Sequence, residues 1–214
     1  MSAVNSKTYK ILELIILSVV IPFLILVFEL APYILLFLWS IFSYCIFILY
    51  FCNEKKFKNT NSICFNLNVG YFIVIRWVVC SLILTALTVL IFPEKLFIVQ
   101  KSNPGLIWKI IVLYPIFSAL PQEFIFCKFF FNRYRCFFGE EALMVTMSSV
   151  AFCIGHVLFI NWVAPVLGFI AGVIFAGTFR KTKSLLIISV EHSLYGNTLF
   201  FIGLGWFFWG GSVG

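Results

Sequence analysis

The sequence predicts an all-α membrane protein, a polytopic bundle of about seven transmembrane helices. Of its 214 residues, 63% are hydrophobic and 11% are charged, whereas soluble domains average about 45–50% and about 25%. A soluble fold of this length has too little interior to bury so many apolar side chains. The mean hydropathy of +1.10 agrees with this interpretation. Composition therefore excludes a soluble globular domain, a disordered chain and a fibrous repeat.

Seven apolar runs, each close to the ~20 residues that span a bilayer as a helix, define the predicted elements. The runs cover residues 11–29, 32–51, 71–92, 106–131, 142–160, 162–179 and 184–209. The first run follows Lys7 and Lys10 as a signal sequence does, but it lacks a small-residue cleavage site and is predicted to stay in the protein. The last run also allows a second interpretation, a shorter helix followed by an aromatic segment at the membrane surface.

The positive charges between the runs predict the orientation, because cytoplasmic loops of membrane proteins are enriched in Lys and Arg. With a cytoplasmic N-terminus, the inner segments hold ten basic residues: Lys7, Lys10, Lys55, Lys56, Lys58, Arg133, Arg135, Arg180, Lys181 and Lys183. The outer loops then hold Lys95 and Lys101, with Lys109 just inside the fourth run. We therefore expect a cytoplasmic N-terminus and an external C-terminus. The formal net charge of +7 indicates contact with the lipid bilayer rather than with nucleic acid.

Three ionisable side chains within the apolar runs are the candidate functional residues. Glu123 lies in the fourth run, His156 in the fifth and His192 in the seventh, and the chain has no other histidine. Because a charged side chain in a spanning helix costs roughly 2.5–3.5 kcal/mol on insertion scales, such residues usually mark a functional site. Glu13 and Glu29, by contrast, lie near the ends of predicted helices and are expected to be solvated.

A glutamate and two histidines on three helices suit two chemistries. A carboxylate in a low-dielectric cavity can act as general base on a water molecule, while the histidines orient that water or stabilise an oxyanion; this serves hydrolysis of an amide bond. Alternatively, two His and one Glu can hold zinc, although the HExxH spacing is absent. The same residues can also be structural, as partners in interhelical hydrogen bonds.

Three short motifs, in this order, resemble those of the intramembrane glutamate proteases. This family, also called CPBP, includes the type II CAAX prenyl endopeptidases and the bacterial bacteriocin-processing or Abi proteins. The motifs are Gln122-Glu123, Phe152 with His156 four residues later, and Glu191-His192 with Asn197. The resemblance covers about residues 106–200. It implies an N-terminal region of three spans, residues 1–105, and a catalytic core of four spans, residues 106–214.

The resemblance also implies a role for each residue. Glu123 is expected to be the general base that activates water, with help from His156, while His192 and Asn197 stabilise the oxyanion. Neither a metal nor another cofactor is implied. The expected substrate is a membrane protein or a membrane-associated peptide, and the small set of helices favours the cytoplasmic (inner) membrane of a bacterium. The sequence predicts neither the cleavage site nor the oligomeric state.

Two departures from the family pattern concern the first motif. Gln122 stands where the family has a first glutamate, and it keeps the hydrogen-bonding capacity without the charge. Cys127 stands where the family has an arginine, one helical turn from Glu123. Arg76 in the third run is otherwise unexplained, and we hypothesise that it supplies the missing positive charge. The residues predicted to support the catalytic ones are Gln122, Cys127, Phe152, Glu191 and Arg76.

A third departure concerns the last motif. Asn197 follows His192 by five residues where the family spacing is four, and Gly196 occupies the fourth position. A local π-bulge could realign Asn197 with His192. Without such a bulge, the oxyanion role falls to His192 alone.

The motifs favour an intramembrane endopeptidase that hydrolyses peptide bonds of membrane-associated proteins or peptides. A second hypothesis, motivated by Gln122 and Cys127, is a catalytically inactive relative that acts as a membrane binding or immunity protein. A third is a small transporter or channel that uses Glu123 and the histidines as a proton relay. The scarcity of charged groups in the other helices disfavours that third hypothesis.

Overall fold

The computed structural model describes residues 3–52 and 67–209. The polar connection predicted between the second and third runs, with Lys55, Lys56 and Lys58, lies outside the described residues. Seven long helices follow the seven apolar runs. They are α1 (Lys7–Val27), α2 (Ala31–Phe51), α3 (Leu67–Ile91), α4 (Pro104–Arg133), α5 (Ala142–Val157), α6 (Val163–Thr182) and α7 (Leu185–Ile202). The predicted all-α membrane bundle is therefore confirmed over the described residues.

Six of these described helices are long and apolar enough to cross a membrane, and α5 is the shorter exception. Its 16 residues rise only about 24 Å, against a hydrocarbon core of about 30 Å. The helix ends at Val157, three residues before the predicted limit, because the chain turns back at once into α6. Asn161 in this turn accepts a hydrogen bond from the backbone N–H of Ala164 at 2.9 Å and so caps the start of α6.

The last apolar run divides as the second interpretation of the sequence predicted. Helix α7 ends at Ile202, and a 3₁₀ turn follows at Leu204–Phe208. Gly203 joins the two with a φ of +104°, a conformation that glycine adopts without strain. A Cβ atom at this position would lie 1.9 Å from the backbone oxygen of Lys95. The close approach of the α3–α4 connection therefore also requires glycine here.

Helix α4 is irregular, and its irregularity surrounds the candidate glutamate. Two π-helical segments, Pro115–Ala119 and Phe124–Phe129, flank the short α-helical stretch Leu120–Glu123. Prolines at 115 and 121 contribute, because proline has no backbone N–H to donate to the preceding turn. π-Helical segments inside α-helices are frequent at functional sites. They make α4 wider on both sides of Glu123.

The core of the bundle is aromatic and forms where α4, α5, α6 and α7 meet. α5 and α6 make the most extensive contact between helices in the described chain. Phe152 of α5 packs edge-to-face on Phe126 of α4, at 5.1 Å between ring centroids, and on Phe175 of α6, at 6.2 Å. Helix α3 packs on the outside of α7, where the indole N–H of Trp77 donates to Thr198 Oγ1 at 2.9 Å. Glu123, His156 and His192 therefore lie on the helices that meet around this aromatic core.

The expectation that Glu13 is solvated is wrong, whereas Glu29 is exposed as expected. Glu13 is 4% exposed because α1 packs against α2 and the end of α4. Its carboxylate accepts hydrogen bonds from Arg133 Nε at 2.7 Å, from the Tyr44 hydroxyl at 2.6 Å and from the Tyr134 hydroxyl at 3.2 Å. Burial, and next the charge of Glu13, raise the pKa of Tyr134 far above its usual value, so its hydroxyl stays a donor.

Candidate active site

The centre of the candidate site is a direct contact between a glutamate and a histidine from two helices. Glu123 of α4 is 1% exposed and His192 of α7 is 5% exposed. Glu123 Oε1 lies 2.7 Å from His192 Nδ1. The other carboxylate oxygen, Oε2, is buried and has no hydrogen-bond partner among the described residues. The structure thus brings together two of the three ionisable residues predicted from the sequence, 69 positions apart in the chain.

The second nitrogen of His192 contacts a residue that the sequence did not single out. Nε2 lies 2.8 Å from the hydroxyl of Tyr114 on α4. An ionised carboxylate only accepts hydrogen bonds, so Nδ1 carries the proton toward Glu123 and Nε2 accepts from the tyrosine O–H. Phe175 stacks on the other side of the ring, with 4.6 Å between centroids and an interplanar angle of 19°. Three contacts therefore fix the orientation of His192.

His156 lies close to this pair but is not hydrogen-bonded to Glu123 in the described structure. Its Nδ1 lies 2.8 Å from the backbone oxygen of Phe152, so Nδ1 carries the proton and Nε2 keeps the lone pair. The Phe152 ring contacts both imidazoles, with centroid distances of 4.5 Å to His156 and 5.7 Å to His192. The resemblance paired Glu123 with His156, whereas the structure pairs it with His192.

Both histidines line a cavity of about 900 Å³ inside the bundle. Its walls are mainly apolar and come from α1, α2 and α4–α7. The polar side chains on its surface include Tyr114, Gln122, His156 and His192. Glu123 is not among the lining residues in the part of the chain that is described, and its contact with His192 connects it to the cavity wall.

Of the other residues predicted around Glu123, Gln122 and Asn197 have different partners. Gln122 Nε2 donates to Ser118 Oγ at 2.8 Å, within α4. Cys127 is buried one turn beyond Glu123. Asn197 Nδ2 donates to the backbone oxygen of Ile111 at 3.4 Å, so the structure does not bring this amide to His192. Helix α7 is α-helical throughout and contains no π-bulge in its described length, so the proposed realignment of Asn197 does not occur.

Arg76 binds Glu191 and not Glu123. Its Nη2 forms an ion pair with Glu191 Oε1 and donates to Thr178 Oγ1 at 2.8 Å. The Arg76 side chain is 39% exposed, whereas the Glu191 side chain is fully buried. The hypothesis that Arg76 supplies charge in place of the family arginine therefore finds no direct contact in this structure. Instead, Arg76 neutralises a second buried acid and ties α3 to α6 and α7.

The zinc interpretation requires at least three ligating side chains close together. Over residues 3–52 and 67–209, no group of three or more His, Cys, Asp or Glu side chains is arranged to hold a metal ion. Glu123 and His192 form a pair, and the Nδ1 of His156 is turned to its own backbone. The described geometry is that of a carboxylate and an imidazole beside a cavity, with a second imidazole nearby.

Comparison with known proteins finds one family that resembles the helices carrying this site. The family described as Type II CAAX prenyl endopeptidase Rce1-like matches residues 104–198. This range contains Tyr114, Glu123, His156, His192 and Asn197. No curated protein and no solved structure matches the chain. Residues 104–198, which carry the candidate site, are therefore similar to the type II CAAX prenyl endopeptidase Rce1-like family, as the motifs indicated.

Proposed function

We propose that the protein is an intramembrane endopeptidase that hydrolyses peptide bonds of membrane-associated proteins or peptides with a water molecule activated by the Glu123–His192 pair. The observation that carries this proposal is the hydrogen bond of 2.7 Å between Glu123 Oε1 and His192 Nδ1 beside a large cavity. The match of this region to a family of prenyl endopeptidases supports the same conclusion.

The pair has the charge that water activation needs. A carboxylate with a neutral imidazole carries one negative charge, and it becomes neutral when it takes the proton of the attacking water. Because the two groups are in contact, this proton belongs to the pair rather than to either residue. The hydroxide then attacks the scissile carbonyl, and the proton passes from the pair to the leaving amine.

His156 is the second participant in the proposal. Its Nε2 is the nitrogen left free by the Nδ1 contact with Phe152, and its ring lines the cavity. It can accept the second hydrogen of the attacking water and so orient that water toward the substrate. The apolar walls of the cavity suit an apolar segment of a peptide or a prenyl group, and they exclude bulk water from the reaction.

Cleavage by the purified protein and by Glu123→Gln, both reconstituted in lipid vesicles, tests the proposal. Glutamine has the shape of glutamate but cannot take a proton, which makes it a matched control. The substrates are peptides that end in a prenylated cysteine motif and unmodified apolar peptides, with products identified by mass spectrometry. We expect internal cleavage by the wild type, no change with a metal chelator, and loss of cleavage in Glu123→Gln.

Each other outcome contradicts a specific part of the proposal. Cleavage by neither protein, with folding intact, indicates the inactive binding or immunity relative. Equal cleavage by both removes Glu123 from the chemistry. Loss of activity with the chelator indicates a metal enzyme, and proton-coupled flux through the vesicles indicates a transporter.

We also propose that the protein lies in a bacterial cytoplasmic membrane with its N-terminus inside. The support is the charge bias of the connections, with Arg180, Lys181 and Lys183 at the junction of α6 and α7 on the inner side. Labelling of Cys136, which is exposed beyond α4, by a membrane-impermeant thiol reagent tests this orientation. We expect labelling in inverted vesicles and none in intact cells, and the reverse pattern contradicts the proposal.

A further inference from the structure

One residue that contacts the catalytic pair has no part in the proposed function. His192 lines the cavity and Glu123 does not, and Nε2 of the His192 ring is in contact with the Tyr114 hydroxyl at 2.8 Å. Tyr114 itself lines the cavity. The described residues thus form one hydrogen-bonded chain from the cavity to the buried carboxylate, in the order Tyr114, His192, Glu123.

We propose that Tyr114 is a further catalytic residue of this site, which passes the proton of the attacking water to His192. This inference rests on the proposed function. Its hydroxyl donates to Nε2 and still has a lone pair to accept a hydrogen bond from water in the cavity. In the step, an O–H bond of water breaks and its proton goes to Tyr114 Oη, while the tyrosine's own proton goes to Nε2. The tyrosine stays neutral, the pair gains one proton, and the hydroxide is left for attack.

The fit of Tyr114 against α7 depends on glycine at position 196. A Cβ atom there would lie 2.2 Å from Tyr114 Cε1 and 2.5 Å from its hydroxyl oxygen, far below any real contact. The ring also packs edge-to-face on His192, at 5.8 Å between centroids, and on Phe200, at 5.6 Å. Tyr114 therefore occupies the space that a side chain at the fourth position after His192 would fill. The absence of a side chain at Gly196 therefore makes room for the Tyr114 ring that contacts His192.

Tyr114→Phe tests the inference, because phenylalanine keeps the ring and removes only the hydroxyl. Tyr195→Phe is the matched control, since in the described chain the Tyr195 hydroxyl makes no hydrogen bond to His192 or Glu123. We expect kcat for peptide cleavage to fall at least about tenfold in Tyr114→Phe with little change in KM, and to change by less than about twofold in Tyr195→Phe. The double variant Tyr114→Phe/Glu123→Gln should be no slower than Glu123→Gln alone, because both residues act in one chain.

The outcomes separate this inference from the proposed function. If Glu123→Gln is inactive while Tyr114→Phe cleaves like the wild type, the tyrosine relay is wrong and the endopeptidase stands. If Glu123→Gln cleaves like the wild type, the proposed role of Glu123 is wrong, and the tyrosine relay, which rests on it, is wrong as well. A rise in KM with unchanged kcat in Tyr114→Phe assigns the tyrosine to substrate binding and overturns the relay.

A second measurement needs no substrate. The chain has only two histidines, so nitrogen NMR of histidine-labelled protein shows two side chains. We expect Tyr114→Phe to shift the Nε2 resonance of His192 and to leave His156 in place. Unchanged His192 resonances in this variant contradict the contact on which the relay depends.

Discussion

Glu13 and Glu123 are both buried carboxylates of the same bundle, and their surroundings differ. Glu13 accepts four hydrogen bonds, two from the guanidinium of Arg133 and one each from Tyr44 and Tyr134. Glu123 has one partner, His192, and its second oxygen has none among the described residues. Both carboxylate oxygens of Glu13 therefore have hydrogen-bond partners, whereas Oε2 of Glu123 remains able to accept a hydrogen bond or a proton.

The difference supports the proposal that Glu13 is the structural acid and Glu123 the reactive one. A charge that is paired and fully hydrogen-bonded is stable in an apolar interior, and Glu13 uses this stability to join α1 and α2 to the end of α4. A buried charge with a single neutral partner lowers stability, and such groups are concentrated at functional sites. Glu191 lies between the two cases, because Arg76 neutralises it from one side only. Substitutions of these acids and of their partners should therefore differ in whether they lower activity or stability.

Glu123→Gln is expected to have the largest effect on activity and almost none on stability. Loss of the proton acceptor should lower the cleavage rate by at least about 10²-fold, the lower end of general acid–base contributions. The melting temperature should stay the same or rise, because the amide removes a poorly compensated buried charge. Initial cleavage rates and thermal unfolding in one detergent measure both quantities. A variant that unfolds before it can be purified contradicts the assignment of Glu123 as reactive rather than structural.

Arg133→Met is expected to have the largest effect on stability. It leaves the Glu13 carboxylate buried without its ion-pair partner, which typically costs about 3–5 kcal/mol in the free energy of unfolding. The cleavage rate per folded molecule should be unchanged, since Arg133 does not contact the cavity pair. Denaturant unfolding followed by tryptophan fluorescence measures the loss. The control is Glu13→Leu/Arg133→Met, in which both charges are gone and most of the stability should return.

Arg76→Leu is expected to have a smaller effect on stability. The Arg76 side chain is 39% exposed, so screening reduces the loss below that of a fully buried pair, to about 1–3 kcal/mol. The rate per folded molecule should stay near that of the wild type, because the guanidinium contacts Glu191 and not Glu123. Adding Glu191→Gln should restore stability. A large loss of rate with full stability supports instead the sequence-based hypothesis that Arg76 replaces the family arginine at the catalytic site.

Asn197→Ala is expected to have the smallest effect. Its amide makes one long hydrogen bond to the Ile111 carbonyl and does not reach His192. The cleavage rate should therefore change by about twofold at most, equivalent to about 0.5 kcal/mol. Steady-state kinetics provide the measurement. A loss comparable to that of Glu123→Gln indicates that Asn197 stabilises the oxyanion as the family resemblance implied.

The sequence predicted the helical bundle and the acidic and imidazole residues of the candidate site, because both leave a clear signal in the hydropathy pattern. Apolar runs near 20 residues long leave few folds open, and Glu123, His156 and His192 are conspicuous because ionisable groups are costly in such runs. Tyr114 gave no signal, because tyrosine is an ordinary residue in membrane helices. In the sequence, Gly196 was only a departure from the family spacing. Its role depends on the Tyr114 ring of α4, which packs against it in the structure.

Other features depend on contacts that no local pattern contains. Glu13 lies near a helix end, so its burial could not be predicted without knowing that Arg133, 120 positions away, packs against it. Glu123 contacts His192 and not His156, and no local sequence pattern shows which of the two imidazoles lies beside the carboxylate. His156 is turned to the Phe152 carbonyl of its own helix. The early end of α5 depends on the turn that Asn161 caps, which hydropathy does not detect.

The most direct test of the central claim compares the two acids in one preparation, by measuring the cleavage rate per folded molecule in Glu13→Gln and Glu123→Gln. The account predicts opposite losses: Glu13→Gln keeps its rate and melts at a lower temperature, whereas Glu123→Gln keeps its melting temperature and loses its rate. If Glu13→Gln abolishes cleavage in correctly folded protein while Glu123→Gln remains active, the catalytic acid has been assigned to the wrong carboxylate.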